Sequence, residues 1–109
     1  MMGKRILCHN KLVRDRIPEI IAMSGKECVY TILEDEEYLA MLDQKLNEEL
    51  AEYQQDKSME ELADLLEVMM AVAKARGYAW EAVESIRRAK QEKRGGFEKR
   101  IFLKTVTED

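Results

Sequence analysis

"LNEELAEYQQDKSMEELADLLEV", residues Leu46 to Val68, holds eight carboxylates and a single lysine in a stretch whose apolar residues recur with helical spacing. Reading outward, Leu39, Leu42, Leu46, Leu50 and Tyr53 recur at three- and four-residue steps. That is one apolar face, and it predicts a helix from about Asp35 to Gln55. Asp56 and Lys57 make a tight connection. Ser58 to Glu61 then matches a capping box, with Ser58 at the N-cap and Glu61 three residues on. The second helix runs to Arg76, where Gly77 suits a C-terminal cap. Two helices joined by so short a turn run antiparallel, as a helical hairpin.

The hairpin gives the like charges a geometry. Glu49 and Glu52 are three residues apart, as are Glu61 and Asp64, so each pair shares a helix face. Measured from a centre between Asp56 and Lys57, Glu52 and Glu61 are equidistant, and so are Glu49 and Asp64. The four carboxylates come level in two rungs, a compact quartet of oxygen ligands where the faces meet. Four acids that close do not all stay ionised without a neutralising partner. Mg²⁺, or Mn²⁺ in its place, meets that need, because hard divalent cations take oxygen ligands and leave positions for water or phosphate. Paired acids on a helix are most often a solvated face, and Glu61 already has a structural duty in the capping box. Three features argue against a solvated face here: the matched rungs, the shortage of lysine partners, and the apolar neighbours of Asp64. Glu67, one turn further, is a further ligand or a supporting partner.

The rest of the chain fits around this hairpin. Its 109 residues suit a single domain, residues 1–109. The net charge of −4 conceals an asymmetry. From Glu34 to Glu67 there are thirteen acids and two bases, while the flanks hold sixteen bases against nine acids. An acidic centre with basic flanks can hold a cation and an anion side by side, of which metal plus phosphate is the obvious case. No apolar run reaches the ~20 residues of a membrane span, and "MMGKRILCHNKLVRDR" lacks the apolar core of a signal peptide. The expectation is a cytoplasmic protein with neither a membrane nor a nucleic-acid polymer as partner. Cys8 and Cys28 are then reduced thiols, expected as small buried hydrophobes.

Pro18 opens a short helix in "PEIIAM", which Gly25 stops. "CVYTIL", Cys28 to Leu33, reads as a short strand or an extended lead-in. A third long helix spans about Trp80 to Lys93, until "RGG" at Arg94 to Gly96 breaks it. "FEKRIFLKTV" reads as an extended C-terminal segment, with a helical start as the alternative. From Leu62 to Ala73 the second helix is apolar on nearly every side, and such a helix must be buried all round. Three helices of one small chain cannot cover it, so a homodimer or homotetramer is expected with this helix at its centre. The fold expected is all-α: a helical-hairpin core forming an oligomeric bundle, with short extended N- and C-terminal segments. His9 stands alone, and no Walker-type glycine loop is present. "KRGGF" sets two glycines beside Lys93 and Arg94, where backbone N–H groups can approach an anion.

"EELAE" (Glu48 to Glu52) followed by "ELAD" (Glu61 to Asp64) resembles the EExxE…ExxD signature of the MazG-like all-α NTP pyrophosphatases, a superfamily that includes phosphoribosyl-ATP pyrophosphohydrolases. "NKLVRDRIPEII" and "KRGGFEKRIFL" resemble the flanks of its small single-domain members, so the likeness touches almost the whole chain. The resemblance implies a helical oligomer that hydrolyses a nucleotide between its α- and β-phosphates. It implies Glu49, Glu52, Glu61 and Asp64 as metal ligands, with Glu48 beside them. The eight residues between Glu52 and Glu61 are fewer than in longer members, which shortens the hairpin and keeps the rungs level. Lys11, Arg14, Arg16, Lys93 and Arg94 are candidates for contacts to phosphate or base. Phosphoribosyl-ATP is the alternative substrate. A non-catalytic helical module whose acidic stripe binds a basic partner is the alternative of another class.

Overall fold

The computed structural model describes residues 4–108. Residues 1–3 and 109, part of the expected domain and of the N-terminal stretch read above, lie outside them. The described residues form four helices and no strand: α1 (Ile17–Met23), α2 (Asp35–Asp56), α3 (Met59–Ala75) and α4 (Trp80–Arg94). The all-α expectation holds, and each long helix ends within a residue or so of where the sequence put it.

Local chemistry explains the ends. Asp35, Glu36 and Glu37 place negative charge on the first turn of α2, where the helix dipole favours it. At the other end Lys57 adopts left-handed backbone (φ 58°, ψ 25°), and its N–H donates to the Tyr53 carbonyl at 2.7 Å. The next residue, Ser58, accepts from the Glu61 N–H at 3.2 Å and starts α3, as a capping residue does. With only Lys57 and Ser58 between them, α2 and α3 fold back as the expected antiparallel hairpin, the main packing of the chain. α3 closes at Gly77 (φ 83°), where the Tyr78 N–H donates to the Ala73 carbonyl at 2.8 Å. That bond, with Gly77 N–H to Lys74, caps the orphan carbonyls of the last turn. α4 packs on α3 alone.

The interior is thin. Leu42, Val68 and Ala73 are the buried hydrophobic residues described, and Glu49 is the buried charged one. Leu50, Leu62, Leu66, Met69 and Met70 are each more than a third exposed. The apolar surround of α3 is therefore covered on the α2 and α4 sides and open elsewhere within one protomer. The Cα radius of gyration is 19.8 Å, against about 13 Å for a compact domain near 100 residues. No described helix is long and apolar enough to cross a membrane.

Two expectations are corrected. Residues 28–33 form no strand. Val29 and Ile32 stand almost wholly in solvent, and a lone extended segment with no neighbouring edge has only water for its N–H and C=O groups. Cys8 and Cys28 are free and exposed, not buried, because nothing packs over the irregular segments that carry them. The C-terminal segment after α4 makes one turn, with the Arg100 N–H donating to the Phe97 carbonyl, and is otherwise irregular.

Candidate functional site

The turn chemistry at Lys57 and Ser58 sets the register of α2 against α3, and that register brings acid to acid. Glu49, Glu61 and Asp64 each present a carboxylate oxygen within 4.8 Å of the others. Glu48, Glu49 and Glu52 form a second such group on α2, so Glu49 belongs to both. All five acids read from the sequence therefore lie in one continuous cluster.

Burial is uneven across it. Glu49 is only 7% exposed, and its Oε2, like Oε2 of Glu61, is buried without a hydrogen-bond partner. An ionised oxygen deprived of water and of donors is costly to keep. Burial accordingly pushes Glu49 above its ordinary pKa; a hydrogen bond from Lys45 opposes the rise and Glu52 adds to it. Glu61 also rises, through burial first and then repulsion from Asp64, Asp56 and Glu49. Asp64 departs from the apolar setting expected of it: its side chain is 43% exposed and ion-paired.

Three cations border the cluster. Lys45, one helical turn before the acids, lies 3.1 Å from Oε1 of Glu48 and 3.3 Å from Oε1 of Glu49. Burial alone would lower its pKa, but the bonds and attraction from Glu48 and Glu49 outweigh that and raise it. Lys11 reaches Oε1 of Glu48 at 3.7 Å. Arg14 donates from Nη2 to Oδ1 of Asp64 at 2.8 Å, with Nη1 3.9 Å from Glu67. Six carboxylates thus share three cations, a surplus of three negative charges.

Of the candidate phosphate contacts, Lys11 and Arg14 reach the cluster within the protomer. Arg16, the residue before α1, pairs instead with Glu19 in that helix at 3.2 Å. Lys93 and Arg94 occupy the exposed last turn of α4 and form no ion pair among the described residues. Lys45 was readable as a site residue and was missed: lysine at three and four residues before glutamate is a standard helical pairing. The donor set suits a hard divalent cation, since it is all carboxylate oxygen and two of those oxygens are buried without partners. Glu49, Glu61 and Asp64 would hold it, with Glu52 beside them.

No family model and no solved structure matches the chain. An uncharacterized protein of Mycolicibacterium smegmatis is 60% identical over 42 residues, which cover 38% of this chain and 43% of that protein. The match spans less than half of either.

Proposed function

We propose that this chain is a Mg²⁺-dependent nucleoside triphosphate pyrophosphohydrolase of the MazG-like kind, cleaving between the α- and β-phosphates to give a monophosphate and pyrophosphate. The observation that carries this reading is Glu49: 7% exposed, one oxygen unpartnered, and aimed into a group of three carboxylates that span two helices. A solvated acidic face has no reason to bury its central member.

In this reading Glu49, Glu52, Glu61 and Asp64 bind the cation, with Mn²⁺ as a substitute. When bound, the cation neutralises phosphate oxygens and lowers the pKa of a coordinated water. Lys45 orients Glu48 and Glu49 through their Oε1 atoms and leaves Oε2 of Glu49 free for the cation. Lys11 and Arg14, the two candidate cations that reach the cluster, supply donors for the substrate's anionic oxygens, Arg with the two-pronged grip suited to phosphate.

The working form is a homodimer or homotetramer. The protomer exposes 10788 Å², where a compact monomer of 12.7 kDa exposes roughly 6,200 Å². That excess, with Leu62, Leu66, Met69 and Met70 open on α3, supports a second copy as the cover. Sedimentation equilibrium at micromolar concentration should give a multiple of the chain mass, and a clean 12.7 kDa species would remove the oligomer from the reading.

The activity is tested with a panel of nucleoside triphosphates and phosphoribosyl-ATP, assayed for pyrophosphate release with Mg²⁺ and with a chelator. Release that needs Mg²⁺ supports the proposal. No release from any of them would leave a helical interaction module whose acidic stripe binds a basic partner.

A further inference from the structure

Arg14 sits in the irregular segment before α1, yet its partner is fifty residues away. Its guanidinium lies 2.8 Å from Asp64 and 3.9 Å from Glu67, and all three side chains are roughly half exposed. The two cations that touch the three-carboxylate group do so differently. Lys45 holds Oε1 of Glu49 and leaves Oε2 free. It lies 16% exposed on a helix, fixed in place. Arg14 holds one of the three carboxylates from the solvent side, outside any helix, with only its carbonyl tied to α1 through the Ile17 N–H at 3.1 Å.

We infer that Arg14 is an exchangeable counter-ion. It neutralises Asp64 while no divalent cation is bound, and it passes to the phosphate oxygens of the substrate when a cation takes Asp64. This rests on the metal-site reading above. The exchange is chemically even, because a guanidinium fork fits carboxylate and phosphate with the same planar pair of N–H donors. It never leaves the guanidinium without an anion. The pair it gives up is exposed on both sides, and such pairs shift an equilibrium by about fivefold at most.

The consequence is a pair of opposed effects. Arg14 competes with a cation that arrives alone, and it helps one that arrives with a polyphosphate. A residue that merely braces the fold would weaken both when removed.

The test is calorimetric titration of the whole protein with Mn²⁺ alone, then with inorganic tripolyphosphate in the presence of Mn²⁺. Arg14→Gln is expected to bind Mn²⁺ alone about two- to fivefold more tightly than the wild type. It should bind tripolyphosphate about tenfold more weakly, the loss of a charge-assisted hydrogen bond. Arg14→Lys, which keeps the charge and loses the fork, should fall between. Arg76→Gln, which breaks the Asp43 pair on the same hairpin, should change neither. Weaker or unchanged Mn²⁺ binding in Arg14→Gln would overturn the inference, and so would unchanged tripolyphosphate binding. If the wild type and Glu49→Gln alike bind no Mn²⁺, the metal reading itself fails and the exchange fails with it.

Discussion

Toward the open end of the α2–α3 hairpin, Asp43 faces Arg76, and carboxylate and guanidinium meet at 3.1 Å. Nearer the turn, Glu49 faces Glu61 and Asp64, and acid meets acid. The same two helices in the same packing treat charge in opposite ways. An acid matched by a base across this seam is within the scaffold's reach, so the unmatched rungs are not a failure of helix pairing. The first pair is exposed on both sides and contributes at most about 1 kcal/mol. The second is buried at Glu49, and the pKa values of Glu49 and Glu61 are raised there. One contact helps to hold the hairpin, and the other is held by it.

The largest effect should separate the two rungs by activity. Asp64→Asn is expected to cut Mg²⁺-dependent pyrophosphate release by about 100-fold or more, since even partners outside the ligand shell cost 10- to 100-fold. The fold should survive, because Asn is nearly isosteric with Asp. Asp43→Asn, at the matched rung, should stay within about twofold. Equal losses in a steady-state assay would erase the distinction.

Next comes the turn that sets the register. Ser58→Ala removes the cap on α3 and should cost about 1 kcal/mol. A melting temperature lower by about 4–8 °C in calorimetry would match that figure for a domain near 100 residues. No change would mean that the register is fixed elsewhere.

The third prediction uses pH. Glu49 and Glu61 titrate above their ordinary values in the folded protein. Between the ordinary and the raised values the folded state binds more protons than the unfolded chain, so their contribution falls as pH rises through that window. Metal-free protein should therefore gain stability on acidification from neutrality toward the ordinary carboxylate range. Glu84 works the other way: its hydrogen bond from Arg87 lowers its pKa, and its contribution is lost only below that range. Urea midpoints in chelator across these pH values should show the gain, and Glu49→Gln should flatten it. An equally steep profile in the variant would exclude Glu49 as the source. The smallest effect belongs to Arg76→Gln, which should cost less than about 1 kcal/mol and leave pyrophosphate release unchanged.

The hairpin and its acids were legible because two numbers settle them, the helical repeat and the position of the turn. Once Ser58 is read as a cap, Glu49 and Asp64 can only come level. Lys45 was equally legible, since its pairing with Glu48 and Glu49 is local to one helix. Arg14 was different. Its contact with Asp64 joins an irregular segment to a distant helix, and no periodicity encodes such a meeting. Residues 28–33 and the two cysteines show a further limit. A β-branched run has the composition of a strand but becomes one only beside another edge, and a thiol is buried only if something lies over it.

The Lys57–Ser58 connection also bears on the order of events after synthesis. It brings Glu49 and Asp64, fifteen residues apart in sequence, together by closing a very short loop, at little entropic cost. Helical structures built on local contacts fold within about microseconds to milliseconds. Association of subunits takes milliseconds to minutes and depends on concentration. The acids of each new chain are therefore gathered by the chain's own folding. In the proposed oligomer, assembly acts on a cluster already in place, and dilution is expected to separate chains without scattering the acids that each one carries.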